Sequence, residues 1–281
     1  MKLKFAFIFV ICAGLVACLE FKSSVFDTET DMGSAWNRHF RIPNYNLAGG
    51  DVVRFALIAD SHQNYKDLDD TVNIVNESDS QFVIHLGDFT DSGTRDEYEI
   101  FFAFWRDLLI PSWVVPGNHD LATTRDKLFR RVFGADNQSL VTPFAKFIFW
   151  NSNALELVPT RADLNWLQQE VASASATEPV LIFQHQDPFN NLTFTPADRA
   201  QMTTIMSAHP QIFVFHGHLH RFFRSQVGNA EFFQIHRVEG RKWAYVEIDA
   251  TNLRVYYCSK RSCDEVYENA VINPLSASHE R

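Results

Sequence analysis

The sequence predicts an α/β fold of two mixed β-sheets packed face to face with helices outside, and three observations carry that expectation. Short apolar, β-branched runs alternate with helical patterns over most of the chain, and each run breaks into a polar turn. From Phe222 onward the pattern changes to short strands whose connections are too brief for crossover helices, so these are expected to be antiparallel. The 26 Phe in 281 residues are a high count, and Phe-rich strands imply a heavily buried sheet.

Val52 to Ala59 is an apolar run that suits a buried strand ending before Asp60. Phe82 to His85 repeats the pattern before Gly87-Asp88, and Trp113 to Val115 repeats it before Gly117. Between them, Tyr98, Phe101, Phe102, Trp105, Leu108 and Leu109 recur at three- and four-residue steps, an amphipathic helix stopped by Pro111. The order is β-α-β-α-β. Further strands are expected at Phe144 to Trp150, Val180 to Phe183 and Ile212 to Phe215, with helices near Asp163 to Ala172 and Pro196 to Ser207. The late strands fall near Glu231 to Ile235, Trp243 to Ile248 and Leu253 to Tyr257.

At 281 residues, 46% hydrophobic and 21% charged, the chain can bury one large core, and no low-complexity tract or long linker divides it. A net charge of −9 and a pI near 5.6 disfavour broad binding to nucleic acid, so no nucleic-acid partner is expected. Lys2 and Lys4 precede an apolar stretch from Phe5 to Val16 that is too short for a comfortable membrane span and has the layout of a secretory signal. It ends Leu15-Val16-Ala17-Cys18, which resembles the lipobox of bacterial lipoproteins. That resemblance implies a signal peptide over residues 1–17, lipidation of Cys18 and an extracytoplasmic place in a bacterial cell envelope, tethered to a membrane by acyl chains. The alternative is an ordinary signal peptide or short anchor that happens to contain a cysteine. Residues 18–50 read as a tether with one packed element around Trp36 to Phe40, and 51–281 as the domain. Cys258 and Cys263, with four residues between them, are either a hairpin disulfide or two free thiols, and neither has finger spacing for zinc.

The chemistry lies in five blocks: Asp60-Ser61-His62, Gly87-Asp88-Phe89-Thr90-Asp91, Gly117-Asn118-His119-Asp120, His185, and Gly217-His218-Leu219-His220. Each supplies Asp, Asn or His at the end of an apolar run, where residues distant in sequence converge at the carboxyl ends of strands. Asp60 and His62, like His218 and His220, lie two apart, and in an extended segment such residues face one side. Singly each block is weak. An Asp-x-His or Gly-Asp is usually a turn, and histidines at strand ends are often structural. In this order, a shared site for two divalent metals is the better explanation.

The set resembles the calcineurin-like metallophosphoesterase superfamily over roughly residues 50 to 250, with all five motifs intact. The resemblance implies a four-layer α/β/β/α sandwich and a dimetal-dependent hydrolase of phosphomonoesters or phosphodiesters. It also implies that Asp60, His62, Asp88 and His220 hold one metal, with Asp88 bridging to a second completed by Asn118, His185 and His218. His119 becomes the general acid or phosphate contact, and Asp91 the residue that hydrogen-bonds its ring. These donors suit Mn, Fe, Zn, Co or Ni, and the positive surplus of two dications over Asp60 and Asp88 favours an anionic phosphate-ester substrate. A metal-binding scaffold of the same fold without catalysis is the rival reading, disfavoured by the retained His119 and Asp91.

One departure narrows the kinship. Protein Ser/Thr phosphatases of this superfamily follow the second Asp of the Gly-Asp block with Arg-Gly, whereas Asp91 is followed by Ser92-Gly93. The motifs look more like small bacterial phosphoesterases related to class III cyclic-nucleotide phosphodiesterases. Arg221, Arg224 and the loop Asp187 to Asn191 flank two ligand blocks, as substrate contacts or as ordinary surface. His85 and His216 read as structural strand residues, and Asp120 as a helix cap in preference to a partner of the ligands.

Overall fold

In the computed structural model, residues 24–39, 52–142, 144–154 and 161–270 are described. The expected signal segment, Cys18 and most of the expected tether lie outside them. The chain opens with α1 (Met32–His39), followed by β1 (Val52–Ile58), α2 (Tyr65–Asn76), β2 (Phe82–His85), α3 (Arg95–Trp105), β3 (Ser112–Val114) and α4 (Asp126–Phe133). Next come β4 (Gln138–Val141), β5 (Lys146–Phe149), α5 (Leu164–Ala172), β6 (Val180–Phe183), α6 (Pro196–Ser207) and β7 (Ile212–His216). Two antiparallel runs finish it: β8 (Phe223–Val227) and β9 (Ala230–Gln234), then β10 (Lys242–Asp249), β11 (Asn252–Ser259) and β12 (Ser262–Ala270).

The strands form two six-stranded mixed sheets, β12-β11-β10-β1-β2-β3 and β4-β5-β6-β7-β9-β8. Strands β1, β2 and β3 are parallel in the first, and β5, β6, β7 and β9 in the second. Strand β9 corrects the expectation that all late strands are antiparallel. It is antiparallel to β8 but parallel to β7, and the chain then crosses to the other sheet for β10. The connection is short because it spans sheets and does not return within one.

Alternation along each strand builds the layers. Val53, Phe55 and Leu57 of β1 face Phe147 and Phe149 of β5, Phe183 of β6 and Phe213 and Phe215 of β7 in one core between the sheets. Ala56 and Ile58 turn outward to a second core under α1 to α4, and Ile148, Ile182 and Val214 turn outward to a third under α5 and α6. Both faces of the central strands are thus buried, which is why their sequences are continuously apolar. The result is the four-layer α/β/β/α sandwich. Capping boxes at Thr94/Glu97 and Thr195/Asp198 start α3 and α6, so the helices begin where their free N–H groups are satisfied.

The element expected around Trp36 is α1, whose Trp36 meets Phe133 of α4 edge-on at 4.6 Å. Cys258 and Cys263 face each other across the β11–β12 hairpin and are joined by a disulfide. Among the described residues no helix is long and apolar enough to cross a membrane.

Phe55 is the keystone of the inter-sheet core: its ring lies 5.1 Å from Phe82 in its own sheet and 5.6, 5.7 and 6.4 Å from Phe147, Phe183 and Phe215 in the other. Phe55→Ala is expected to cost about 3–5 kcal/mol, read as a lowered urea-unfolding midpoint, because neither sheet can collapse into the void.

Candidate metal centre

All five blocks lie beyond the carboxyl ends of β1, β2, β3, β6 and β7, and the fold gathers them at one edge of the sandwich. Two clusters result, Asp60/His62/His220 and Asp88/His185/His218, each with ligand atoms within 4.8 Å of one another. Asp88 Oδ2 stands 3.0 Å from His185 Nε2 and 3.8 Å from His62 Nε2, so this carboxylate lies between the clusters. Asn118 Oδ1 sits 3.2 Å from His185 Nε2, placing its amide oxygen at the second cluster. His220 Nε2 is 3.5 Å from Asp60 Oδ1.

The backbone is bent to achieve this. Asp60, His62, Asp88, His218 and His220 have φ of 50°, 44°, 54°, 77° and 57°, the left-handed region that side chains other than glycine rarely enter. The i, i+2 pairs therefore converge through tight left-handed turns and not through the extended segments expected from spacing. Such strain clusters where a surrounding structure over-determines the chain for function. Glycines make the approach feasible. A Cβ on Gly117 would overlap the Asp88 carboxylate, and one on Gly87, at φ +88°, would sit 2.6 Å from the Gly117 nitrogen.

Buried partners hold the ligands in place. Asp120 is no helix cap: its carboxylate accepts from the amides of Asp88 and Gly117 at 2.8 Å and from the amide and hydroxyl of Thr90 at 2.9 Å. Burial, then the nearby Asp88 charge, raises Asp120 to about 7, against the N–H and O–H donors that pull it down. Burial alone would raise Asp88, but the charge and hydrogen bond of His185, with His119 and His62 behind them, hold it below the usual carboxylate range. Burial works against a charge on His185 too, and is outweighed by Asp88, which raises that imidazole to about 9. Burial and then the His185 charge lower His218 to about 4.

The expected Asp91–His119 contact is present in a different form. His119 Nδ1 bonds the main-chain oxygen of Asp91 at 2.6 Å, while the Asp91 carboxylate holds His62 Nδ1 at 2.8 Å. Asp91 thus orients a cluster ligand with its side chain and the exposed His119 with its backbone. Ser152, whose hydroxyl accepts from the amides of His185 and Gln186, and Gln186, which donates to Asn118 Oδ1 at 3.1 Å, went unread in the sequence. The signal for Ser152 was available, since Asn151-Ser152-Asn153 is another polar turn after an apolar run.

An open cleft of about 390 Å³ lies over the clusters, lined by His62, Gln63, Asn64, Asp91, His119, His220 and Arg237. Arg224 is not among them: it pairs with Glu231 at 2.9 Å and stacks on Tyr267. Arg221 lies over the Phe223 ring. Asp187 accepts from the Phe189 amide at 3.0 Å and so shapes its own loop.

Carboxylate, imidazole and amide donors in two adjoining clusters, with one carboxylate between them, form a donor set that suits a pair of divalent cations, and on this sandwich they define a metallophosphoesterase-type site. The chain matches the calcineurin-like phosphoesterase family over residues 53–222, more than half its length, and belongs to that family. It is 28% identical over 160 residues to a 3',5'-cyclic-nucleotide phosphodiesterase of Nostoc sp., covering 53% of this chain and 59% of that protein. A probable cyclic nucleotide phosphodiesterase of Fibrobacter succinogenes is 26% identical over 180 residues, 60% of this chain and 64% of that one. The chain therefore spans less than two thirds of either relative. The fold resembles a dimetal phosphatase of Danio rerio with a TM-score of 0.64 at 15% identity, covering 79% of this chain and 99% of that one.

His85 and His216 end β2 and β7 as buried residues. His85 Nδ1 accepts from the Gly87 amide at 3.2 Å and Nε2 meets the Ser61 hydroxyl at 3.1 Å, an arrangement made for neutral imidazole. Burial first, then the His185 charge, lowers it from 6.5 to about 3. Within that window the unfolded chain binds a proton that the folded chain refuses. The contribution of His85 to stability is whole above about pH 6.5 and is lost as pH drops towards 3, by an upper bound on the order of 4–5 kcal/mol. Thermal melts of the metal-free chain across this range should show a smaller pH slope for His85→Asn than for wild type.

Proposed function

We propose that this chain is a dimetal-dependent hydrolase of phosphoesters, exported and held at a membrane by a lipid on Cys18. The observation that supports hydrolysis is the placement of His119 in the cleft over two clusters that Asp88 adjoins. When bound, two divalent cations supply positive charge to the attacking and leaving oxygens of an in-line displacement.

The chain's own residues do the positioning and the proton transfer. The His119 amide donates to Asp88 Oδ1 at 2.9 Å, which ties the acid's backbone to the carboxylate between the clusters. Its Nδ1 faces a carbonyl oxygen, which can only accept, so Nδ1 carries a proton, and the doubly protonated ring gives its Nε2 proton to the leaving group, returning to the Nδ1–H neutral imidazole. The Asp91 carboxylate on His62 Nδ1 leaves His62 Nε2 free as a ligand atom. Phosphodiesters are the first substrate class to test, because the Nostoc and Fibrobacter relatives are named for cyclic-nucleotide phosphodiester cleavage. Export, read from residues 1–17, directs attention to esters outside the cytosol.

The test uses the full chain purified in detergent and loaded with Mn²⁺, assayed on nitrophenyl and alkyl mono- and diesters. His119→Ala should lower kcat about 10²–10⁴-fold on alkyl esters, whose leaving group needs a proton, and far less on nitrophenyl esters, at unchanged Mn²⁺ content. Absence of metal-dependent turnover in the Mn²⁺-loaded wild type would support the scaffold instead. For the anchor, a metabolic fatty-acid label should enter the wild type and not Cys18→Ala; equal labelling of both argues against lipidation there.

A further inference from the structure

Arg237 lies next to the first cluster through its backbone. It forms a parallel bridge with Ala59, and the Val238 amide donates to the Ala59 carbonyl at 3.1 Å, which fixes Arg237 beside the residue preceding Asp60. Its side chain lines the cleft with His62, His119 and His220. The Nε atom is buried without a hydrogen-bond partner. Among the described residues its ion-pair partner is Glu239, whose carboxylate stands 3.5 Å away and is largely exposed. A guanidinium with unspent donors, planar and always charged, is built to take an oxyanion in a bidentate fork.

The rest of the cleft leaves that task open. Protein Ser/Thr phosphatases carry an arginine after the second Asp of the Gly-Asp block, and here Ser92 stands there. The Ser92 amide donates to both carboxylate oxygens of Glu97 at 3.2 Å, so that corner presents negative charge. Arg224 is spent on Glu231 and Tyr267, and Arg221, which lies over the Phe223 ring, does not line the cleft.

We propose that Arg237 grips a non-bridging oxygen of the substrate's phosphoryl group, acting from the strap after β9. The proposal rests on the phosphoester reading of the cleft, yet the grip can be measured without turnover. Inorganic phosphate is titrated by calorimetry into the Mn²⁺-loaded full chain, wild type, Arg237→Gln and Arg237→Lys, with Mn²⁺ content and melting temperature recorded for each. Arg237→Gln should bind phosphate about tenfold more weakly or worse at unchanged Mn²⁺ content, and Arg237→Lys at least about threefold more weakly, because an ammonium keeps the charge and loses the fork. Affinity within twofold of wild type in a folded, Mn²⁺-loaded Arg237→Gln overturns the proposal. Should that variant lose metal or unfold, wild-type affinity in Arg237→Lys overturns it, as does a wild type that binds no phosphate. Phosphate held through Arg237 by a chain that hydrolyses no ester would sink the hydrolase reading and leave the grip standing; intact hydrolysis with phosphate affinity indifferent to Arg237 would do the reverse.

Discussion

The carboxylate of Asp120 is the knot from which the centre is tied. Its two oxygens collect four donors from two loops: the amides of Asp88 and Gly117, and the amide and hydroxyl of Thr90. One buried group therefore sets the distance between the loop that carries Asp88 and the loop that carries Asn118 and His119. The arrangement is costly, since Asp120 and Asp88 are buried together and Asp88 adds to the rise of Asp120 to about 7. Donors from the main chain offset that cost, and an aspartate stripped of them would repel its neighbour. With the knot in place, the Asp88 carboxylate is free to look toward both clusters.

Strain is the second consequence. Five of the cluster ligands occupy left-handed backbone, each at a cost of order 1–3 kcal/mol, and a loosely built domain would relax them. What prevents relaxation is the density of the cores on either side of each sheet. Each ligand follows a strand that is buried on both faces, such as β6, whose Val180 and Ile182 point to one core and Leu181 and Phe183 to another. Rigidity in the strands thus becomes precision in the turns that follow them.

This division explains what the sequence discloses and what it hides. Central strands write themselves as apolar runs, so β2 and β6 are legible to the residue. Three of the four edge strands do not: β4, β8 and β12 alternate or expose most of their residues, and no apolar run marks them, whereas the fourth, β3, shows as Trp113 to Val115. Helix α4 was hidden because only Leu128, Phe129 and Val132 of it are buried, among charged neighbours. In the site, the ligand blocks announce themselves by residue type and by the turn after a strand. Supporting residues carry no such mark. Asp120 reads as a cap, the split duty of Asp91 between His62 and His119 depends on which of its atoms faces which ring, and Arg237 stands 17 residues beyond His220 in no motif at all. The Ala59–Arg237 bridge, with the Val238–Ala59 hydrogen bond, brings it back to the first block.

Neither cluster belongs to one sheet. Asp60, His62 and Asp88 follow strands of the first sheet, while His185, His218 and His220 follow strands of the second. The distances from His220 to Asp60 and His62, and from Asp88 to His185 and His218, are consequently distances between sheets, set by the phenylalanine layer that separates them. Cations held by both sets of ligands would bind the paired sheets and not the separated ones, so by linkage their binding free energy would add to the cohesion of that layer. The converse also holds: a void in the phenylalanine core shifts one half of each cluster against the other, and positional error of even an ångström is expensive in a site of this kind. The high phenylalanine content thus fills the layer whose thickness sets the distance between the two halves of each cluster.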